Sequence, residues 1–260
     1  MNDIDFDKYS EQSIHFFSRH VPALLAKALA LVGSKPTLID IGCGDGHLIW
    51  ALSDTGHIPP GSRVFGVDIS PIRLRRMSAL TGFQGIMAEG HQVPALRDGS
   101  VDIAISTMVI EHVPDDLGHI CELARLIQPG GLLYLSTVIR KPGAWYFRKA
   151  PDGRRVLDST HLREYPSADA VIKLVEAGGF VVKEQCLTRL LFPIAHPLVR
   201  WRHARRPIKD VQRIFLKSSN AWLEAFALPI PRYRSIEILA QRVNNDSVHG
   251  LQNSQSGYQR

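Results

Sequence analysis

Apolar residues recur along the chain in two patterns whose alternation predicts the fold. Short uninterrupted apolar runs predict buried strands, and longer segments with apolar residues three or four apart predict helices. The predicted strands are Thr37–Ile41, Arg63–Val67, Gly85–Ala88, Val101–Ser106, Leu132–Val138, Phe180–Leu187 and Arg234–Val243. The predicted helices are 8–32, Asp45–Ser53, a helix that begins at Pro71, Asp115–Ile127 and Ala168–Ala177. Apolar strands that alternate with helices are typical of a parallel sheet covered on both faces.

Length and composition then restrict the class of protein. With 260 residues, 45% of them hydrophobic and 22% charged, the chain can bury a large core, which excludes disordered and coiled-coil classes. No apolar run reaches the roughly 20 residues of a membrane span, and the acidic N-terminus resembles neither a signal nor a transit peptide. Cys43, Cys121 and Cys186 lack metal-ligand spacing. We therefore expect reduced thiols, no structural zinc and a cytoplasmic protein.

The predicted organisation has three parts. Residues 1–35 form an N-terminal helical cap, residues 36–243 form the main α/β domain, and the polar residues 244–260 form a disordered tail. Within the main domain, residues 189–230 form a helical insertion between the sixth and seventh strands, too long for an ordinary loop.

Charge is distributed unevenly between the two halves of the chain. The first 138 residues hold 10 Lys/Arg and 15 Asp/Glu, whereas the remainder holds 21 and 10, for a net charge of +6. Much of the basic excess lies in the insertion, where Arg202, Arg205 and Arg206 stand near Trp201 and Trp222. Basic and aromatic residues together suit an anionic acceptor or the surface of an anionic membrane. The alternative is a helical lid that packs on its own domain.

A glycine-rich turn follows the first predicted strand. The strand runs into Gly42, Gly44 and Gly46 and then into a helix. Such glycines let the backbone turn tightly and approach a ligand closely. The dinucleotide pattern GxGxxG would place its third glycine at position 47, which is His47 here. The turn therefore suits a nucleoside-like ligand without a pyrophosphate.

Acidic residues follow the next two strands. Asp68 ends the second strand, where a carboxylate can accept hydrogen bonds from both ribose hydroxyls. Glu89 and Gly90 follow the third strand, where an acid can receive the exocyclic amine of adenine. The order and spacing of these signals predict a nucleoside site more strongly than any one of them alone.

These motifs resemble those of class I S-adenosylmethionine-dependent methyltransferases, in particular small-molecule enzymes of the ubiquinone-biosynthesis type. The matching segments are LIDIGCGDG, GVDIS, AEGHQVPALRDGSVD, STMVIEHVPD and QPGGLLYLST. The match spans about residues 36–187 and the last predicted strand. It implies a doubly wound, seven-stranded α/β sheet in the order 3-2-1-4-5-7-6, with strand 7 antiparallel and helices on both faces.

The resemblance also implies where the cofactor, S-adenosyl-L-methionine, binds. Asp40 and the glycine-rich turn would surround the methionine part of the cofactor, and Asp68 would bind the ribose. Glu89 and Gly90 would contact the adenine, and Thr107 would lie near the reacting sulfur. The full set of predicted cofactor residues is Asp40, Gly42, Cys43, Gly44, Gly46, Asp68, Ile69, Glu89, Gly90 and Thr107.

Three residues are candidates for a general base, namely Glu111, His112 and His161, and structural roles in holding loops are the alternative for each. Ubiquinone-biosynthesis O-methyltransferases carry E-x-x-E-H at this place and are thought to hold a divalent metal there. Here Met108 replaces the first Glu. One carboxylate and one imidazole suit a hard cation poorly, so we predict that no metal is bound.

The expected function is transfer of a methyl group from S-adenosyl-L-methionine to a small-molecule, lipid-linked or sugar-linked acceptor of anionic character. We expect methylation at oxygen rather than at carbon or nitrogen, with S-adenosyl-L-homocysteine as the product.

 
Two alternatives are an RNA methyltransferase and a non-catalytic partner protein that keeps the cofactor fold. The segment STMVIEHV lacks the (N/D)PP(F/Y) motif of enzymes that methylate nucleic-acid amines, so we do not expect a nucleic-acid partner. We expect a cytoplasmic location, with peripheral membrane contact through residues 190–230.

Overall fold

The fold was analysed in a computed structural model that describes residues 10–11, 15–150, 152–217, 220 and 222–243. The predicted tail 244–260 and residues 1–9 and 12–14 of the predicted cap lie outside the described residues. The helices are α1 (Ala23–Leu31), α2 (His47–Asp54), α3 (Pro71–Thr81), α4 (Asp116–Leu126), α5 (Ala168–Ala177), α6 (Ala195–Arg202) and α7 (Ile208–Gln212). The strands are β1 (Thr37–Ile41), β2 (Arg63–Asp68), β3 (Gln84–Met87), β4 (Val101–Thr107), β5 (Ile127–Arg140), β6 (Arg148–Lys149), β7 (Arg155–Val156), β8 (Phe180–Pro193) and β9 (Ala227–Arg242).

Seven of the strands form one mixed sheet in the order β3-β2-β1-β4-β5-β9-β8. Pairing is parallel from β3 through to β5, whereas β9 runs antiparallel to both β5 and β8. Along the chain, β8 is the sixth and β9 the seventh strand of this sheet. The observed order is therefore the predicted order 3-2-1-4-5-7-6, and the fold prediction is confirmed. The short strands β6 and β7 form a separate hairpin.

The core has two apolar layers, one on each face of the sheet. Successive side chains of a strand point to opposite faces. Ile39 and Ile41 of β1 therefore pack with α4 and α5 on one face. Leu38 of the same strand packs with α1 and α2 on the other. This double burial explains why the strands are apolar without alternation, since fully burying one such side chain contributes about 1.5–3 kcal/mol.

The helix starts follow capping signals in the sequence. The Ser70 hydroxyl accepts a hydrogen bond from the Arg73 amide at 3.4 Å, and Pro71 occupies the first helical position of α3. The Asp115 carboxylate accepts from the Gly118 amide at 2.8 Å at the start of α4. Both helices therefore begin within one residue of their predicted starts.

Two predicted elements differ from the structure. Within the described part of the predicted helix 8–32, residues 15–22 lie outside any helix and α1 begins only after Pro22, because proline restricts the residue before it and lacks an amide proton. The strands β8 and β9 are longer than predicted, since Leu191 pairs with Pro229 and Phe192 with Leu228. The connection outside the strands is therefore residues 194–226, called the insertion below, rather than 189–230.

The insertion packs against the segment that precedes α1. The Phe17 amide donates to the Gln212 carbonyl at 2.8 Å. The Phe16 ring lies 4.5 Å from the His196 ring and 4.9 Å from the Phe215 ring, measured between centroids. The inner face of the insertion thus has the packing of a lid. Among the described residues, no helix is long and apolar enough to cross a membrane.

Candidate functional site

A cavity of about 1140 Å³ lies at the carboxyl ends of the parallel strands. Ligands bind at this edge in open α/β sheets because the loops that leave the strands diverge there. Of the predicted cofactor residues, those on the wall of the cavity are Gly42, Cys43, Gly44, Asp68, Ile69, Glu89, Gly90 and Thr107. Residues from distant parts of the chain, including Phe16, His112, Thr160 and His196, complete the wall.

The glycine-rich turn requires its glycines for two different reasons. Gly42, Gly44 and Gly46 all have positive φ values, of 78°, 55° and 78°, which side chains rarely tolerate. A Cβ atom at Gly46 would also lie only 2.3 Å from Cγ of the buried Met77. Position 46 therefore has no room for a side chain because the core packs against it, whereas Gly42 and Gly44 line the cavity.

Asp68 connects the turn to the ribose end of the predicted site. Its Oδ2 accepts a hydrogen bond from the Gly44 amide at 2.9 Å, and its Oδ1 accepts from the Ser70 amide at 2.8 Å. A carboxylate has about four acceptor positions, so each oxygen can accept one further bond from a ligand. The position and capacity of Asp68 fit a vicinal diol such as ribose.

Asp40 lies behind the cavity rather than on its wall. Its side chain is buried, and its Oδ1 has no hydrogen-bond partner among the described residues. Burial, and then the charge of Asp68, raise the pKa of Asp40 to about 8. The structure does not place Asp40 or Gly46 on the wall, so the expected contact of both with the methionine part remains a prediction.

A basic cluster that the sequence analysis missed faces Gly44. A Cβ atom at Gly44 would lie 3.2 Å from Nη1 of Arg73 and 3.4 Å from Nδ1 of His15. Burial and the nearby Arg73 lower the pKa of His47 to about 4, and burial and the nearby His47 lower that of His15. Both rings are therefore neutral near pH 7, and Arg73 carries the charge. Residues 15, 47 and 73 come from separate segments, so no local motif could reveal the cluster.

The adenine end of the predicted site is more open. Glu89 is exposed and pairs with His91, with 3.4 Å between Oε2 and Nε2. The Gly90 carbonyl lies 2.8 Å from Nδ1 of His119. A Cβ atom at Gly90 would lie 2.9 Å from that same nitrogen, so a side chain could not be added without moving His119.

The three candidate bases lie together beside the cavity. Glu111 and His112 belong to the turn before α4, and Arg163 holds this turn by donating to the carbonyls of Ile110, Val113 and Pro114. One ligand atom each from Glu111, His112 and His161 lies within 4.8 Å of the others. Sequence separation concealed this arrangement, since position 161 follows the turn by about fifty residues.

The environments of the three groups differ. Glu111 is fully buried, its Oε2 accepts from the Thr137 hydroxyl at 2.8 Å, and burial raises its pKa. His161 is also buried, with Nδ1 3.0 Å from Oε1 of Glu164. Among the described residues, only His112 of the three lines the cavity.

The same cluster bears on the metal prediction. Met108, which replaces the glutamate of the ubiquinone-biosynthesis pattern, lines the cavity with a strained backbone φ of 53°. His161, which lies about fifty residues further along the chain, adds a third donor to Glu111 and His112. One carboxylate with two imidazoles is still a poor set for magnesium or calcium, which prefer several oxygen ligands. The residues present therefore do not fit the hard cation that the pattern implies.

Comparison with known proteins agrees with the motifs and the topology. A family profile described as a methyltransferase domain matches residues 39–135. The ubiquinone biosynthesis O-methyltransferase of Xanthomonas campestris pv. campestris (strain B100) is 32% identical over 127 residues, which cover 46% of this chain and 50% of that protein. The chain thus spans about half the length of the curated relatives it matches.

Solved structures share the fold at low sequence identity. A proposed methyltransferase from Bacillus halodurans aligns with a TM-score of 0.56 and 18% identity, covering 85% of this chain and 98% of that one. The cyclase SpnF aligns with a TM-score of 0.54 and 14% identity, covering 92% of each chain. The fold therefore hosts more than one kind of reaction, so the activity has to be argued from the motifs at the site rather than from the fold. Residues 39–135 thus match a methyltransferase domain, and the sheet order and the motifs at the site are those expected of class I S-adenosyl-L-methionine-dependent methyltransferases.

Proposed function

We propose that this chain transfers a methyl group from S-adenosyl-L-methionine to a hydroxyl oxygen of a small, anionic or lipid-linked acceptor. The observation that carries the proposal is that one cavity is lined both by the predicted nucleoside residues Asp68 and Glu89 and by His112 and Thr160. The similarity to enzymes named as O-methyltransferases supports oxygen as the atom that is methylated.

The residues divide this work between the two ends of the cavity. Asp68 and the turn would hold the nucleoside part of the cofactor, and Arg73 would neutralise an anionic group beside Gly44. When bound, the cofactor supplies an electrophilic methyl group on a sulfonium. The chain's own residues therefore have to align the acceptor oxygen, exclude water and remove a proton.

The direct test is formation of S-adenosyl-L-homocysteine with defined acceptors. We expect product to form with catechol, a phenolic oxygen acceptor, and not with aniline or with total RNA. Turnover with RNA alone would replace the proposal by the RNA-methylating alternative. Cofactor binding with no turnover on any acceptor would favour the non-catalytic partner protein.

Metal removal should leave this activity unchanged. Because Met108 replaces a carboxylate and the remaining donors do not suit a hard cation, dialysis against EDTA should retain the full rate of product formation. Loss of activity that returns on adding magnesium, zinc or iron(II) would refute the prediction and assign a metal to Glu111, His112 and His161.

We further propose that the outer face of the insertion meets an anionic lipid surface. Leu198 and Trp201 of α6 are 63% and 80% exposed, and Trp222 and Phe226 are 59% and 55% exposed. Leu198, Trp201 and Arg202 lie three and four positions apart, so they share one face of α6. The other face carries His196 towards the cavity. Apolar residues beside cations suit the boundary between lipid headgroups and acyl chains.

Replacing Arg202, Arg205 and Arg206 together by Ser should reduce co-sedimentation with phosphatidylglycerol vesicles. Each cation near an acidic lipid surface contributes up to about 1 kcal/mol, and salt screens this attraction. The matched control replaces Arg75, Arg97 and Lys173 by Ser, which removes the same charge elsewhere. Equal sedimentation of both variants, or no binding of the native chain, would leave the insertion as a lid alone.

A further inference from the structure

A hydrogen-bonded chain links the partly buried carboxylate of Asp158 to His112, the one of the three candidate bases that lines the cavity. The Thr160 hydroxyl oxygen lies 2.8 Å from Oδ1 of Asp158 and 2.9 Å from Nδ1 of His112. The sequence analysis singled out His112 but neither Thr160 nor Asp158. Both belong to the segment that also brings His161 to the turn before α4.

The direction of the two hydrogen bonds follows from the donors available. Asp158 is held as a carboxylate, because Oδ1 accepts from the Thr160 amide at 3.0 Å and Oδ2 from the Arg148 guanidinium at 2.5 Å. Burial alone would raise the pKa of Asp158, but these bonds and the Arg148 charge outweigh it and keep that pKa below its usual value. An ionised carboxylate only accepts, so the single hydroxyl proton of Thr160 points to Asp158.

The tautomer of His112 is then fixed. With its proton committed to Asp158, the Thr160 oxygen can only accept from His112, which requires the imidazole proton to be on Nδ1. In a neutral ring this leaves Nε2 as a bare acceptor, and Nε2 has no hydrogen-bond partner among the described residues. Burial and the adjacent His161 lower the pKa of His112 to about 4, which is consistent with a neutral ring.

We propose that Asp158 and Thr160 are positioning residues that hold His112 with Nδ1 protonated, so that Nε2 accepts the proton of the acceptor hydroxyl. This inference rests on the proposed function for its acceptor. The O–H bond breaks, its proton forms a bond to Nε2, and its electron pair stays on the oxygen for bond formation with the methyl carbon. The bond from that carbon to the sulfonium sulfur breaks at the same time, and its electron pair stays on the sulfur of the departing S-adenosyl-L-homocysteine. The imidazolium that results releases its proton to solvent after the transfer.

The other two candidate bases do not share this arrangement. Glu111 is fully buried and accepts a hydrogen bond from Thr137, and Nδ1 of the buried His161 lies 3.0 Å from Oε1 of Glu164; neither residue lines the cavity. Their burial suits a supporting role for the turn. The structure therefore selects His112 from the three residues that the sequence left open.

The test is nitrogen NMR of the His112 ring in the intact chain, assigned by the signals that disappear in His112→Gln. In the native protein Nδ1 should show the shift of a protonated nitrogen and Nε2 that of a bare one. Thr160→Val, which removes the hydroxyl at nearly constant volume, should shift the ring to a mixture of tautomers. Thr160→Ser should restore the native signals, and Thr81→Val, remote from the ring, should leave them unchanged.

Methyl-transfer activity is a second measurement, and it tests whether the tautomer of His112 matters for the reaction. With catechol as acceptor, Thr160→Val should lower kcat by about tenfold or more and leave KM for the cofactor unchanged, because a general base contributes roughly 10²–10⁴-fold. Native tautomer signals in Thr160→Val would overturn the inference whatever the activity. The predicted NMR changes in a chain without methyl transfer would instead overturn the proposed function and leave the positioning role standing.

Discussion

Replacing Asp68 with Ala should weaken binding of S-adenosyl-L-homocysteine by about 1.5–3 kcal/mol, or roughly 10- to 150-fold, the usual loss for a charge-assisted hydrogen-bonding group. The physical reason is twofold. The carboxylate offers acceptors to the ribose hydroxyls, and it also fixes the glycine-rich turn through the Gly44 amide. Isothermal titration calorimetry measures the change directly.

The control for this variant is Asp169→Ala, which removes an exposed carboxylate from the first turn of α5. Asp169 does not line the cavity, so its loss should leave ligand affinity unchanged. Equal affinities of the native chain and Asp68→Ala would refute the ribose assignment. Equal losses in both variants would indicate a general effect of charge rather than a contact.

Replacing Gly46 with Ala should lower the free energy of unfolding by about 2–5 kcal/mol. A positive φ costs an ordinary residue about 1–2 kcal/mol, and inserting a methyl group into a packed core costs about 1–3 kcal/mol more. The new Cβ would contact the stem of Met77, which is fully buried and cannot move away easily. Chemical denaturation followed by circular dichroism measures the loss.

Gly56→Ala separates the two causes. Gly56 has a similar φ of 74°, but nothing lies within 4 Å of the position its Cβ would take. It should therefore lose only the backbone contribution, about 1–2 kcal/mol. If Gly46→Ala is no less stable than Gly56→Ala, packing against Met77 does not constrain the turn.

The sequence predicts most of the fold because its signals are local. The strand β1 and the capped helices α3 and α4 each depend on residues close together in the chain, and their predicted bounds agree with the structure within a few residues. The predicted helix 8–32 does not run through residues 15–22, because Pro22 interrupts a segment whose apolar spacing is otherwise helical. The lengths of β8 and β9 were underestimated, since their outer pairs depend on cross-strand contacts that a single sequence does not display.

The same distinction applies to the site. The turn, Asp68 and Glu89 follow their strands directly, so spacing alone indicates them. The cluster of His15, His47 and Arg73 and the chain from Asp158 to His112 depend on tertiary contacts between distant segments. Nothing in the local pattern around Thr160 marks it as the residue that sets the tautomer of His112.

The most direct test of the central claim is a crystal structure of this chain with S-adenosyl-L-homocysteine. We expect the ribose hydroxyls within hydrogen-bond distance of Asp68, the adenine amine near Glu89, and the sulfur facing Thr107 on the side of the cavity that His112 lines. A ligand bound elsewhere, or a cavity that stays empty at saturating ligand, would contradict it.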